Sequence, residues 1–156
     1  MGKATHLDTA LARRVRVKVV TPKSNLRNQQ RVPVDASIAL EKPDGQRLDC
    51  QIANLSRSGV MISCTEEAAR VLLPGLRAPA PGLYFGVTAR FSVPVLPAQP
   101  VAVTADCNVV HLRRVSRDEF QVGIQFSEFE GNGFDYVDQY VARLLADSLQ
   151  ADRNSD

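Results

Sequence analysis

The chain has 156 residues, 44% of them hydrophobic and 23% charged, with a net charge of +2, which fits one globular domain. A chain of this length buries roughly two thirds of its unfolded surface, so it folds without a disulfide or metal staple. Its three cysteines, Cys50, Cys64 and Cys107, form no CxxC pair, which argues against a zinc site and a disulfide framework, and no run approaches the roughly 20 apolar residues that span a bilayer.

The chain opens basic. Residues 1–31 hold eight Lys or Arg against one acid, Asp8, which is +7 for this segment and leaves −5 for the remainder. That asymmetry fits an N-terminal end that meets an anion, or a solvated basic tail. The first ten residues are polar and no apolar run follows, so no secretory leader is expected and a reducing cytoplasm is the expected location. Val15, Val17 and Val19 alternate with Arg14, Arg16 and Lys18, the period of a short strand or an extended arm. Residues 1–25 are taken as a basic arm, 26–150 as one domain and 151–156 as a frayed tail. Within NLRNQQRVPVD (25–35), Arg27 and Arg31 lie four residues apart. Two arginines so close repel each other unless an anion sits between them or water screens both.

Strands then dominate. Val32 to Leu40 reads as a first core strand, turned at Pro43-Asp44-Gly45, with Arg47 to Leu55 returning beside it. Gly59 to Cys64 is a third strand. Cys50 and Cys64, in such apolar runs, read as buried thiols. Glu66 to Leu73 predicts two turns of helix, stopped by Pro74-Gly75 and followed by a Pro/Ala-rich loop. Tyr84 to Val93, Val101 to Val115 and Phe120 to Phe126 are further strands, making six or seven with short connections. Antiparallel pairing in a small barrel or sandwich follows. The chain closes with a helix over 134–149, where Phe134, Val137, Tyr140, Val141, Leu144, Leu145 and Leu149 form one apolar stripe for a barrel face or mouth. Asn132 or Gly133 starts it, and Asp135 and Asp138 suit its positive end.

A second polar cluster, NLSRSGV (54–60), sits between two strands. Asn, Ser and Gly build tight turns. Asn also offers an acceptor and two donors, Ser a rotatable hydroxyl, and glycine permits the close approach of a ligand or another backbone. These groups can read the edge of a purine. Arg27-x-x-x-Arg31, then 22 residues, then Asn54-x-Ser56-x-x-Gly59 resembles the RxxxR…(D/N)xSxxG signature of PilZ domains, and VGIQF (122–126) is similar to that family's last barrel strand. The resemblance covers roughly residues 26–127.

It implies a mainly β fold: a six-stranded antiparallel PilZ-type β-barrel with a C-terminal α-helix. It also implies a receptor for the bacterial second messenger cyclic di-GMP, which changes conformation on binding and signals to an unidentified downstream protein, and not an enzyme. The implied ligand residues are Arg27, Arg31, Asn54, Ser56 and Gly59. The chemistry agrees, because an arginine fork pairs with phosphate oxygens or with guanine O6 and N7 and can stack on a base. Arg57, inside the turn, is a further candidate, beside the alternative of a solvated loop arginine. In the family an Arg directly before the motif is associated with a stacked pair of ligands. Leu26 holds that place here, so one dinucleotide per chain is expected. The stretch 65–82 is longer than the link expected there, and a tolerated surface insertion is its first reading.

No cofactor or metal is expected, since no Cys/His/Asp grouping has ligand spacing. Gly131-Asn132-Gly133 lacks the rest of a dinucleotide fingerprint and reads as a helix start. One alternative is a scaffold of the same fold that works through protein contacts without nucleotide, as in pilus biogenesis. Another is a barrel for single-stranded nucleic acid, which 6% aromatic content and no Trp disfavour.

Overall fold

The computed structural model describes residues 16–18, 30–96 and 99–154. Along the chain come β1 (Arg16–Lys18), β2 (Val32–Glu41), β3 (Arg47–Leu55), β4 (Gly59–Cys64), α1 (Glu66–Leu72), β5 (Phe85–Leu96), β6 (Gln99–Arg114), β7 (Phe120–Glu130) and α2 (Gly133–Asn154). β2 to β7 form a closed six-stranded antiparallel barrel in the order β7-β4-β3-β2-β5-β6, sealed by pairing of β6 with β7. This is the fold class read from the sequence. β4 pairs with β7 only as far as Gln125, and β1 takes the same edge further along, with Arg16, Val17 and Lys18 opposite Glu130, Phe129 and Glu128. The alternation of the basic arm therefore does make a strand.

The barrel strands β2 to β7 turn their alternate apolar side chains inward. Ile38, Leu40, Ile52, Val60, Ile62, Val103, Val109, Val122 and Ile124 are each at most 4% exposed. Phe126 packs against Phe91 and Phe129 with ring centroids 6.1 and 4.8 Å apart. The β2–β3 turn works as its residues suggest. Gly45 adopts φ 90°, a region closed to most side chains, and the Asp44 carboxylate accepts from the Gln46 amide at 2.9 Å.

Both helices belong to the core. α1 starts at Thr65, whose hydroxyl accepts from the Ala68 amide at 3.3 Å. It buries Ala69, Leu72 and the following Leu73 at 0, 3 and 0% exposure. The stretch 65–82 is thus not a surface insertion: its first half fills the barrel, because Ala69, Leu72 and Leu73 recur at helical spacing and share one face. In α2, Val137 and Val141 are fully buried, with Phe134, Tyr136, Tyr140, Leu144 and Leu145 packed around them. Leu149 is 62% exposed, so the stripe ends before it, while the helix runs on to Asn154 where a frayed tail was expected. Residues 150–154 include no Gly or Pro to stop it. Among the described residues no helix is long and apolar enough to cross a membrane.

Leu73→Ala is expected to cost about 3 kcal/mol of stability, the range for a fully buried leucine. Urea unfolding checks this, and a change below about 0.5 kcal/mol, typical of surface positions, would return 65–82 to the surface.

Candidate ligand-binding site

The site is built on a hairpin. β3 pairs regularly with β4 up to Ile52 opposite Ile62, and the next recorded pair is Asn54 opposite Met61. The bulge at Ala53 shifts the inward face from Ile52 to Leu55, which is 0% exposed. Without that extra residue Asn54 would point into the core. With it, the Asn54 side chain reaches β2's entry, and its Oδ1 accepts from Arg31 Nη1 at 2.9 Å. Arg31 stands directly before β2, and Pro33 is registered opposite Asn54. The two half-motifs, 22 residues apart in sequence, thus meet through one hydrogen bond. Asn54 is neutral, so it orients the guanidinium without cancelling its charge.

Ser56 closes the turn. It is fully buried, and its Oγ accepts from the amides of Ser58 and Gly59 at 3.2 and 3.1 Å. Its own amide donates to the Gly59 carbonyl at 2.9 Å. The Phe126 amide then donates to the Ser58 carbonyl at 2.9 Å, fastening the turn to β7. Gly59 lies so near β7 that a Cβ there would stand 2.3 Å from the Ile124 carbonyl oxygen. Of the two close approaches that a glycine permits, this one is to a backbone.

Arg57 is not a solvated loop residue. It is 3% exposed, and its Nε pairs with an Asp138 carboxylate oxygen on α2. Because a buried guanidinium needs an acceptor and Asp138 sits one turn into α2, the turn is tied to that helix. Arg27 and Leu26 lie outside the described residues.

A cavity of about 240 Å3 opens beside the turn, lined by Arg31, Ser58, Gly59, Val110, Ile124 and Gln125. Val110 and Gln125 escaped the sequence reading. In β6, Val109 is opposite Ile124 but His111 is opposite Gly123, so Val110 is the extra residue of a bulge. Val110 lies on the outward face, 43% exposed beside fully buried Val109, and the bulge shifts the facing of the residues after it, so that Leu112 and not His111 packs on the core. The Val109-Val110 doublet, which breaks the alternation of Val103, Ala105, Cys107 and Val109, was the available signal. A larger cleft of about 490 Å3 is lined by Glu41, Lys42, Thr88, Asp106 and Asn108 among others. Its two carboxylates suit an anion poorly. Among the described residues no group of three or more His, Cys, Asp or Glu is placed to hold a metal ion.

Residues 25–143 match the family model of the PilZ domain. No curated protein matches the chain. The K. pneumonia MrkH–c-di-GMP complex aligns with a TM-score of 0.50 at 17% identity, over 87% of this chain and 57% of that one. The PilZ domain of CeSA from a cellulose-synthesizing bacterium aligns with a TM-score of 0.41 at 10% identity, over 75% and 96%. The Borreliella burgdorferi PlzA protein in complex with c-di-GMP aligns at 0.40 and 15%, over 89% and 45%. This chain therefore spans little more than half of MrkH and less than half of PlzA. At these identities the MrkH likeness concerns the fold.

Gly59→Ala is expected to destabilise the protein by about 2 kcal/mol, the overpacking range, because the rigid β7 carbonyl must move. Denaturant titration reads this, and an unchanged midpoint would mean that β7 yields freely.

Proposed function

The chain belongs to the PilZ domain family, and from that membership we propose that it is a cyclic di-GMP receptor that acts on a partner protein. The observation carrying the proposal is the Arg31–Asn54 hydrogen bond, which orients an exposed guanidinium that lines one cavity with Ser58 and Gly59. Cyclic di-GMP offers two phosphates and two guanines, and a guanidinium fork suits the acceptors of either. The cavity is smaller than the roughly 300–1,000 Å3 of a pocket that engulfs a drug-sized ligand. It takes one base or phosphate, and Arg27 of the same motif supplies a second fork for the rest of the ligand. In this reading Ser56 acts through the turn that it closes, and Gly59 through the approach that it permits. Arg57 holds the turn to α2.

Ligand binding draws Arg31, and Arg27 of the same motif, onto one dianion at the entry to β2. The surface at that end of the barrel then differs between empty and bound states, and this difference is what a partner reads. With Leu26 in place of a third guanidinium, one dinucleotide binds per chain.

Calorimetric titration with cyclic di-GMP tests this, with GTP and cyclic GMP as controls at physiological salt. Selective binding near one ligand per chain is expected, weakened at least 100-fold in Arg27→Ala/Arg31→Ala, since charge-assisted hydrogen bonds each carry about 1.5–3 kcal/mol. No binding by the folded wild-type chain would overturn the receptor reading in favour of a protein-interaction scaffold. Two ligands per chain would overturn the role given to Leu26.

A further inference from the structure

Three cysteines that the ligand site does not use lie in the barrel, all of them reduced. Two are neighbours in space. β3 and β4 are in register with Gln51 opposite Ser63 and Ile52 opposite Ile62, so the next rung, where both strands continue, sets Cys50 opposite Cys64. Ile52 and Ile62 face the core, and the period of two puts both thiols on that same face. Directly opposed residues of antiparallel strands have Cα atoms roughly 4.5–5.5 Å apart, within the roughly 4.4–6.8 Å that a disulfide spans. The two thiols lie near enough to shift each other's titration in opposite directions. Their surroundings differ, since Cys50 is 6% exposed and Cys64 is half-buried at the end of β4. Their position in the hairpin also matters. The Asn54–Gly59 turn lies at one end of the β3–β4 ladder and this rung at the other, so a bond between them would close a loop around the whole turn.

We propose that Cys50 and Cys64 form a dithiol site that a hydroperoxide oxidises to a cross-strand disulfide, stapling the hairpin that carries the Asn54–Gly59 turn. Cys64 is the attacking sulfur. The neighbouring Cys50 thiol favours the Cys64 thiolate and lowers its pKa, whereas the same contact and burial raise that of Cys50. The Cys64 thiolate attacks one peroxide oxygen, the O–O bond breaks, and the other oxygen leaves as water or alcohol after taking a proton. The resulting sulfenic acid sits against Cys50, whose sulfur attacks the Cys64 sulfur. The S–S bond forms, the S–O bond breaks, and the hydroxide departs as water with the Cys50 proton. Two thiols lose two electrons and two protons, and hydrogen peroxide becomes two waters. Cys107 takes no part: it is 2% exposed, and burial pushes its thiol up to about 12.

The test uses the full reduced chain and one or a few equivalents of hydrogen peroxide under native conditions. Quenching with an alkylating agent, then denaturing and digesting with trypsin, separates the three cysteines. Cleavage after Arg47, Arg57 and Arg70 puts Cys50 in LDCQIANLSR and Cys64 in SGVMISCTEEAAR. The expected product is these two peptides joined, two hydrogens lighter than their sum, with Cys107 alkylated, and dithiothreitol restores both thiols. The oxidised chain is expected to unfold at higher urea than the reduced one, because the bond constrains the unfolded hairpin. In Cys50→Ser, Cys64 is expected to accumulate as a sulfenic acid trapped by dimedone. Three outcomes on the wild-type chain would each overturn the proposal: Cys64 driven to sulfinic acid with no joined peptide, no oxidation of either thiol, or linkage of either to Cys107.

Discussion

At Gly59 the first residue of β4 lies against the β7 backbone with no space for a methyl group. That contact fixes how the β3–β4 hairpin meets the last barrel strand, and the candidate site takes its shape from it. The Ser56 hydroxyl holds two amides of the turn, and the Ser58 carbonyl accepts from Phe126 on β7. The turn is therefore rigid before any ligand arrives. A binding surface made of backbone in this state loses little conformational freedom on association.

Three consequences follow from the rigid turn. Asn54, turned outward by the bulge at Ala53, orients Arg31 from a neutral partner and leaves its charge available. Arg57 is carried into the interior, where it pairs with Asp138 and makes α2 part of the turn's support. Such a pair is weak evidence for net stability, because desolvation offsets much of its attraction. Its effect here is on position, since a helix with Val137 and Val141 in the core anchors one side of the turn. Gln125, registered opposite Gly59, completes the cavity wall together with bulged Val110.

The strands, the β2–β3 turn and the closing helix were legible because period-2 and period-3.6 patterns are strong where one face is buried. Arg31, Asn54 and Gly59 were legible as a spaced motif, and they do meet. What escaped was orientation. The bulges at Ala53 and Val110 shift the facing of later residues by one, so alternation alone would have pointed Asn54 into the core and gave Val110 no role. Ser56 read as a ligand group because its hydroxyl is suited to that task, and its burial among the turn amides was not visible in the sequence. Arg57 read as a ligand candidate or a solvated loop arginine, because the partner that buries it stands 81 residues away in sequence. The α1 segment read as an insertion because its length was judged against a short link, whereas its apolar spacing already indicated burial.

The most direct test of the account is to map ligand contacts by amide chemical-shift changes on titrating the 15N-labelled chain with cyclic di-GMP. The account predicts the largest changes at Arg31, Asn54, Ser58, Gly59, Val110 and Gln125, around the cavity beside the turn. Changes gathered instead at Thr88, Asp106 and Asn108, in the carboxylate-lined cleft, would contradict it and place the ligand on another face of the barrel.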